Sequence, residues 1–249
     1  MIKEKFATAP VTVLLCAAMV GVYGLEILGA GGVPVAMDRW ALSGEGLARG
    51  QWWTLVTHIF LHANLLHLFV NVLALWFMGP EVEWMLGRRR YLVLFFLSGI
   101  GGGVLQTMFS LPATELVGAS GAVCGVLLAF TTAYPEMPLR ALLFFVIPVH
   151  MKAKTLGRGL VSVSLACAVF NVLPQIGHLA HLGGALTGAV LTRWWLPKRA
   201  VQASSPQAAR QAWDELIARV EEGGLEELTP EEMKLLAQRA ERRTGRRIL

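Results

Sequence analysis

The chain of 249 residues is 55% hydrophobic and only 16% charged, with a mean hydropathy of +0.54. Soluble domains carry about a quarter of their residues as Asp, Glu, Lys and Arg, so this deficit points to the membrane. The formal charge of +5 would suit a nucleic-acid partner, but the basic residues lie in short clusters between apolar runs, as the positive-inside rule predicts, and that distribution argues against one.

A helix needs roughly 20 apolar residues to cross a bilayer. Val11 to Gly31 fits, with Glu26 its only charge, and is too long for the apolar region of a cleaved leader. Met37 to Gln51 is polar, glycine-rich and tryptophan-bearing, the composition of an interfacial loop. Thr54 to Met78 is the second predicted span, free of Asp, Glu, Lys and Arg but holding three histidines and two asparagines. Tyr91 to Phe109 and Leu116 to Tyr134 are the third and fourth. Leu139 to Val149 is apolar but about half the needed length, hence an interfacial or re-entrant piece. Gly159 to Thr192 is too long for one helix, and Asn171, Pro174 and Gln175 divide it into spans five and six. The prediction is an all-α membrane protein, a six-transmembrane-helix bundle occupying residues 1–197.

Lys3/Lys5, Arg88-Arg89-Arg90, Lys152/Lys154/Arg158 and Arg193/Lys198/Arg199 fall on one side of such a bundle, which puts both termini in the cytoplasm. Residues 198–249 read as a cytoplasmic tail: a linker, then amphipathic helices at Gln207 to Glu222 and Pro230 to Arg243. The second opens on Thr229-Pro230-Glu231-Glu232, a capping-box start. Two such helices bury little core alone, so the tail is expected to need a partner, which the sequence does not identify, or the membrane surface.

Intramembrane ionisable residues are costly and mark function. The second span carries His58, His62, His67 and Asn71; the fourth begins near Gly118-Ala119-Ser120-Gly121; the sixth begins with His178 and His181, followed by Gly184 and Gly188. Spans two, four and six all start from the non-cytoplasmic side, so His67, Ser120 and His181 enter the membrane from one face. Alone, Ser120 reads most simply as helix packing, and His181 equally as an interhelical hydrogen bond. Together they supply a hydroxyl nucleophile and an imidazole base, with His67 and Asn71 as donors to an oxyanion. No carboxylate is placed to orient the base, so the economical scheme is a Ser–His dyad. Spacing alone does not rank His178 against His181. His58 and His62 are read as structural, and Cys16, Cys124 and Cys167 as apolar fillers outside any disulfide framework. Five of the six histidines lie in spans two and six, yet there is no HExxH and no intramembrane carboxylate base. Neither a metal nor a cofactor is expected. A transporter is disfavoured because charged residues and broken helices near the midplane are missing.

These motifs resemble the rhomboid family of intramembrane serine proteases over most of residues 1 to 197. Gly118-Ala119-Ser120-Gly121 is similar to the family's nucleophile motif, and Ala180-His181-Leu182-Gly183-Gly184 to its sixth-helix motif. The resemblance assigns the base to His181 rather than His178. The spacing of His58, His62, His67 and Asn71 resembles the family's second-helix pattern, and implies that His67 and Asn71, with Ser120 itself, hold the oxyanion. Gly118, Gly121, His62 and Cys124 become supporting residues. The stretch from Leu139 to Lys154 resembles the family's loop between spans four and five. Two positions depart from the pattern: Trp53-Thr54 where a Trp-Arg pair is frequent, and Cys124 where an aromatic often packs on the catalytic histidine. The resemblance implies a bacterial inner-membrane, multi-pass protein in contact with lipid, cutting transmembrane proteins at a site open to the non-cytoplasmic side. The rival reading is a catalytically silent relative that binds or handles membrane proteins.

Overall fold

The computed structural model describes residues 9–29, 37–143, 147–173, 175–196 and 206–244. In chain order the elements are α1 (Pro10–Gly29), three short helices α2 (Met37–Trp40), α3 (Gly44–Ala48) and α4 (Thr54–Thr57), then α5 (Leu65–Leu86), α6 (Arg88–Phe109) and α7 (Ser120–Ala133). A hairpin follows, β1 (Pro138–Leu143) and β2 (Ile147–Lys152), then α8 (Ala153–Val169) and α9 (His178–Trp195). The tail holds α10 (Pro206–Gly223), a 3-10 turn (Leu225–Glu227) and α11 (Pro230–Thr244). By length and composition, Pro10–Leu28, Leu65–Leu86 and Arg88–Phe109 are able to cross a membrane; α7 is apolar but has 14 residues. The chain is thus a mostly helical, multi-pass membrane protein.

Several boundaries differ from the sequence reading. The second span begins at Leu65 rather than Thr54, because Asn64 takes an extended backbone and its side chain accepts from His67 N at 2.9 Å, starting a helix there. His58 and His62 therefore lie before α5, not on it. At its other end α5 runs past Met78 through Pro80 to Leu86, burying Glu81 and Glu83. Those carboxylates are tolerated because both are satisfied. Glu83 accepts from Val11 N (3.1 Å), Thr12 N (2.8 Å) and Thr12 Oγ1 (2.8 Å), so it closes the exposed amides at the start of α1. A single left-handed glycine, Gly87 (φ +78°), then turns α5 directly into α6, which starts on the three arginines. Between α8 and α9 the turn falls where the sequence places it; Pro174 is outside the described residues.

Within the segment 139–149, expected to be interfacial or re-entrant, the described residues 139–143 and 147–149 belong to a two-stranded antiparallel sheet in which Arg140 faces His150 and Leu139 faces Met151. A run of this length is too short to span as helix, and folding back lets each strand satisfy the other's amides. Glu136 clasps the hairpin base, accepting from Lys152 Nζ at 2.8 Å and Lys154 Nζ at 2.5 Å. These two ammonium groups pull its carboxyl down to about 2, so the clasp keeps its charge from neutral pH to strongly acidic pH.

The tail docks on the chain's own helices. Arg210 Nη2 meets Glu81 Oε2 at 2.7 Å while its guanidinium lies 5.0 Å from the Trp84 ring centre, and α11 packs against α6. The capping box is formed as predicted: Thr229 N and Oγ1 each lie 2.9 Å from Glu232 Oε2, and Glu232 N donates to Thr229 Oγ1 at 3.3 Å.

At the centre, α9 packs against both α6 and α7. Glycines permit this closeness. A Cβ on Gly184 would be driven into the Gly121 carbonyl and lie 3.0 Å from Gly121 Cα, and one on Gly188 would meet the Gly125 backbone at 2.6 Å. Backbone on a buried helix cannot yield as a side chain can. We expect Gly184→Ala to cost ~1–3 kcal/mol or more of stability through overpacking. The control is Gly159→Ala on α8, where nothing lies within 4 Å of the added methyl. Thermal unfolding of both in the same detergent should show a lowered midpoint for the first and an unchanged or raised one for the second.

Candidate active site

The starts of α5, α7 and α9 converge at one end of the bundle. Ser120 is the first residue of α7, and His181 lies in the first turns of α9. The His181 Nε2 to Ser120 Oγ distance is 2.9 Å, with both side chains part-buried. The fourth helix was expected from Leu116 but starts only at the serine, because Gly118 takes φ +119° and Leu116 is held in extended backbone. Leu42 and Leu116 exchange both backbone bonds, at 3.0 and 2.7 Å, and Gly118 N donates to His58 O at 2.8 Å. The polar first loop thereby fixes the approach to Ser120.

Gly118 is needed twice over. Its φ is strained for any L side chain, and an added Cβ would strike the His67 ring, 2.7 Å from Nε2. That contact places His67 beside the residue two before the serine. Asn71, one turn further along α5, is buried and donates from Nδ2 to His67 O at 2.9 Å. A primary amide has two N–H bonds, so one remains for another acceptor. Gly121 lies against the Ala180 carbonyl, 3.2 Å from where its Cβ would be, which lets α7 and α9 meet at the level of the two reactive side chains.

His58, His62 and His178 are held by partners other than Ser120. His58 is buried with Nδ1 2.8 Å from Thr54 O; His62 is buried with Nδ1 3.1 Å from Phe60 O and its ring edge-on to His67 at 5.2 Å. His178 packs against His181, their ring centres 6.0 Å apart. Cys124 is buried on α7, one turn beyond Ser120. No group of three or more His, Cys, Asp or Glu residues among the described ones is arranged to hold a metal ion.

One contributor was not singled out from the sequence. Gln106 on α6 accepts from Ala180 N at 3.1 Å, capping α9 where Gly177 has no side chain to do so. Its Nε2 is held by Ser110 Oγ at 2.8 Å. A glutamine in an apolar run was the available signal.

A family profile described as Rhomboid domain matches residues 49–198, more than half of the chain. Rhomboid protease GluP of Bacillus subtilis is 34% identical over 143 residues, 57% of this chain and 26% of that protein. RHOMBOID-like protein 2 of Arabidopsis thaliana is 36% identical, over 57% of this chain and 41% of the relative. Rhomboid protease GlpG of Yersinia pestis is 30% identical, over 58% and 48% respectively. The chain therefore spans between about a quarter and a half of the length of these relatives. With the matched segment running from the first loop through α9 and containing both Ser120 and His181, this chain is a member of the rhomboid family.

Proposed function

We propose that this protein is an intramembrane serine endopeptidase that cuts transmembrane or juxtamembrane segments of other membrane proteins through a Ser120–His181 dyad. The observation that carries the reading is the 2.9 Å approach of the two side chains from separate helices. Two of the relatives, GluP and GlpG, are named rhomboid proteases, which supports the same activity.

In this scheme Ser120 Oγ attacks the scissile carbonyl as its proton passes to His181 Nε2. The resulting oxyanion meets the Ser120 N–H, which is unpaired within its helix because Ser120 is the first residue of α7. The positive end of the α7 dipole adds to this, and His67 and Asn71 approach from α5. Collapse returns the proton from His181 to the departing amine and leaves an acyl-serine. Water, deprotonated by His181, then releases the second product.

The 14 residues of α7 extend ~21 Å. The hydrocarbon core is about 30 Å thick, so a short helix beginning at Ser120 leaves space above the serine for water from one side. We place that side opposite the cytoplasm, with six crossings in residues 1–197, a cytoplasmic tail in 198–249 and residence in a bacterial inner membrane. Lipid surrounds the bundle, and substrate segments must unwind locally to expose a peptide bond.

The oxyanion assignment has a quantitative test. Asn71→Ala should lower kcat about 10- to 100-fold, the smaller loss applying where His67 or water compensates. The effect should fall on kcat rather than KM, since the donor serves charge present only in the transition state. Kinetics of both proteins in one bilayer composition decide it: a pure KM defect moves Asn71 to substrate binding.

A further inference from the structure

His181 meets Ser120 through Nε2, and among the described residues no carboxylate is hydrogen-bonded to its ring. An imidazole without a carboxylate behind it still needs something to fix its ring plane. Cys124, the α7 residue one turn past Ser120, is buried but has no aromatic face to offer. The ring that packs on His181 comes from its own helix. His178, three residues earlier, lies 6.0 Å away centre to centre with the planes at 89°, the edge-to-face arrangement aromatic rings favour.

His178 is itself fixed. It is buried, and its Nε2 lies 3.0 Å from Val172 O. A carbonyl only accepts, so Nε2 carries the proton and donates. Val172 lies between Asn171 (φ +52°) and Leu173 (φ +49°), both left-handed without being glycine. Such backbone persists only where surrounding contacts over-determine it. Val172 N also donates to Cys167 O at 2.9 Å, near the end of α8. A continuous set of contacts thus runs from the end of α8 through the turn to the His178 ring, and from that ring to His181.

We infer that His178 is a positioning residue for the base: its ring, tied to the Val172 carbonyl, holds the His181 imidazole in the plane that meets Ser120. This rests on the protease reading above for its kinetic consequence, but not for its geometry.

Three variants separate the ring from the hydrogen bond. His178→Phe keeps a ring against His181 and loses the bond to Val172; His178→Gln keeps a donor and loses the ring; His178→Ala loses both. With a single-span substrate in liposomes, His178→Ala should lower kcat about tenfold with KM within about twofold, the signature of a misoriented group. His178→Phe should recover to within about threefold of wild type, whereas His178→Gln should recover thermal stability without kcat. Wild-type kcat in His178→Ala, restoration by Gln and not by Phe, or kcat losses that simply follow the unfolding midpoints would each overturn the inference. Should His178→Ala fail to fold, the Phe and Gln pair makes the same comparison. Nitrogen NMR of the His181 side chain serves as the readout independent of turnover. A His181 ring signal that is sharp in wild type and in His178→Phe but averaged in His178→Gln supports the inference, and one identical in all three overturns it. Wild-type protein that neither cleaves nor labels at Ser120 would sink the protease reading, with the NMR comparison still deciding the role of His178.

Discussion

Ser120→Ala should abolish peptide-bond cleavage and leave a folded protein with an unfolding midpoint close to wild type. The hydroxyl is the reacting group, and its removal deletes one oxygen from a part-buried site at the first residue of α7. The methyl group of alanine fills nearly the same volume, and alanine is the best helix former, so neither packing nor helix start should suffer. The loss in kcat should be on the order of a thousandfold or more, as when a nucleophile is removed and only binding and oxyanion stabilisation remain. A mechanism-based fluorophosphonate should label wild type and not the variant. Unchanged turnover in Ser120→Ala would remove the serine mechanism, and a wild type that binds membrane proteins without cutting them would favour the silent relative.

A loss of the same order is expected for His181→Ala, because a hydroxyl near neutral pH is a poor nucleophile until its proton has somewhere to go. The two losses should not add in the double variant, since the residues act as one unit and either removal disables the same step. His178→Ala, in contrast, should retain substantial activity, about a tenth of wild type if it only orients the base. The contrast is geometric: His181 Nε2 reaches Ser120 Oγ at 2.9 Å, while His178 Nε2 is committed to the Val172 carbonyl at 3.0 Å. Measuring kcat for the two single variants and the double with one substrate tests the order. A fatal His178→Ala with a harmless His181→Ala would reassign the base.

Much of this chain was legible from composition and spacing. Low charge with long apolar runs indicated a membrane protein, the Asn171–Gln175 turn divided the last long run, and Thr229 to Glu232 announced the start of α11. These are local signals: each depends on residues near in sequence, and each acts through hydrogen bonds or helix geometry within a turn or two. The shared end of His67, Ser120 and His181 was expected from alternating spans, and the structure brings His181 to Ser120 and His67 to Gly118.

What the sequence could not settle depended on partners distant along the chain. The second predicted span stops at Met78, short of Glu81 and Glu83. The helix continues because Arg210 and the first amides of α1, 129 and some 70 residues away, satisfy those carboxylates. His58 and His62 looked like one turn of a helix, but the Asn64 cap and the bond from Gly118 N to His58 O place them in a loop. Helical spacing put His178 and His181 on one face without ranking them; only the packing of α9 against α7 puts one ring beside Ser120 and the other on the turn from α8. Composition therefore determined the environment and the segment order of this protein. Tertiary packing decided where its buried charges are tolerated and which imidazole meets the serine, because both depend on atoms brought within 3 Å from far apart in the chain.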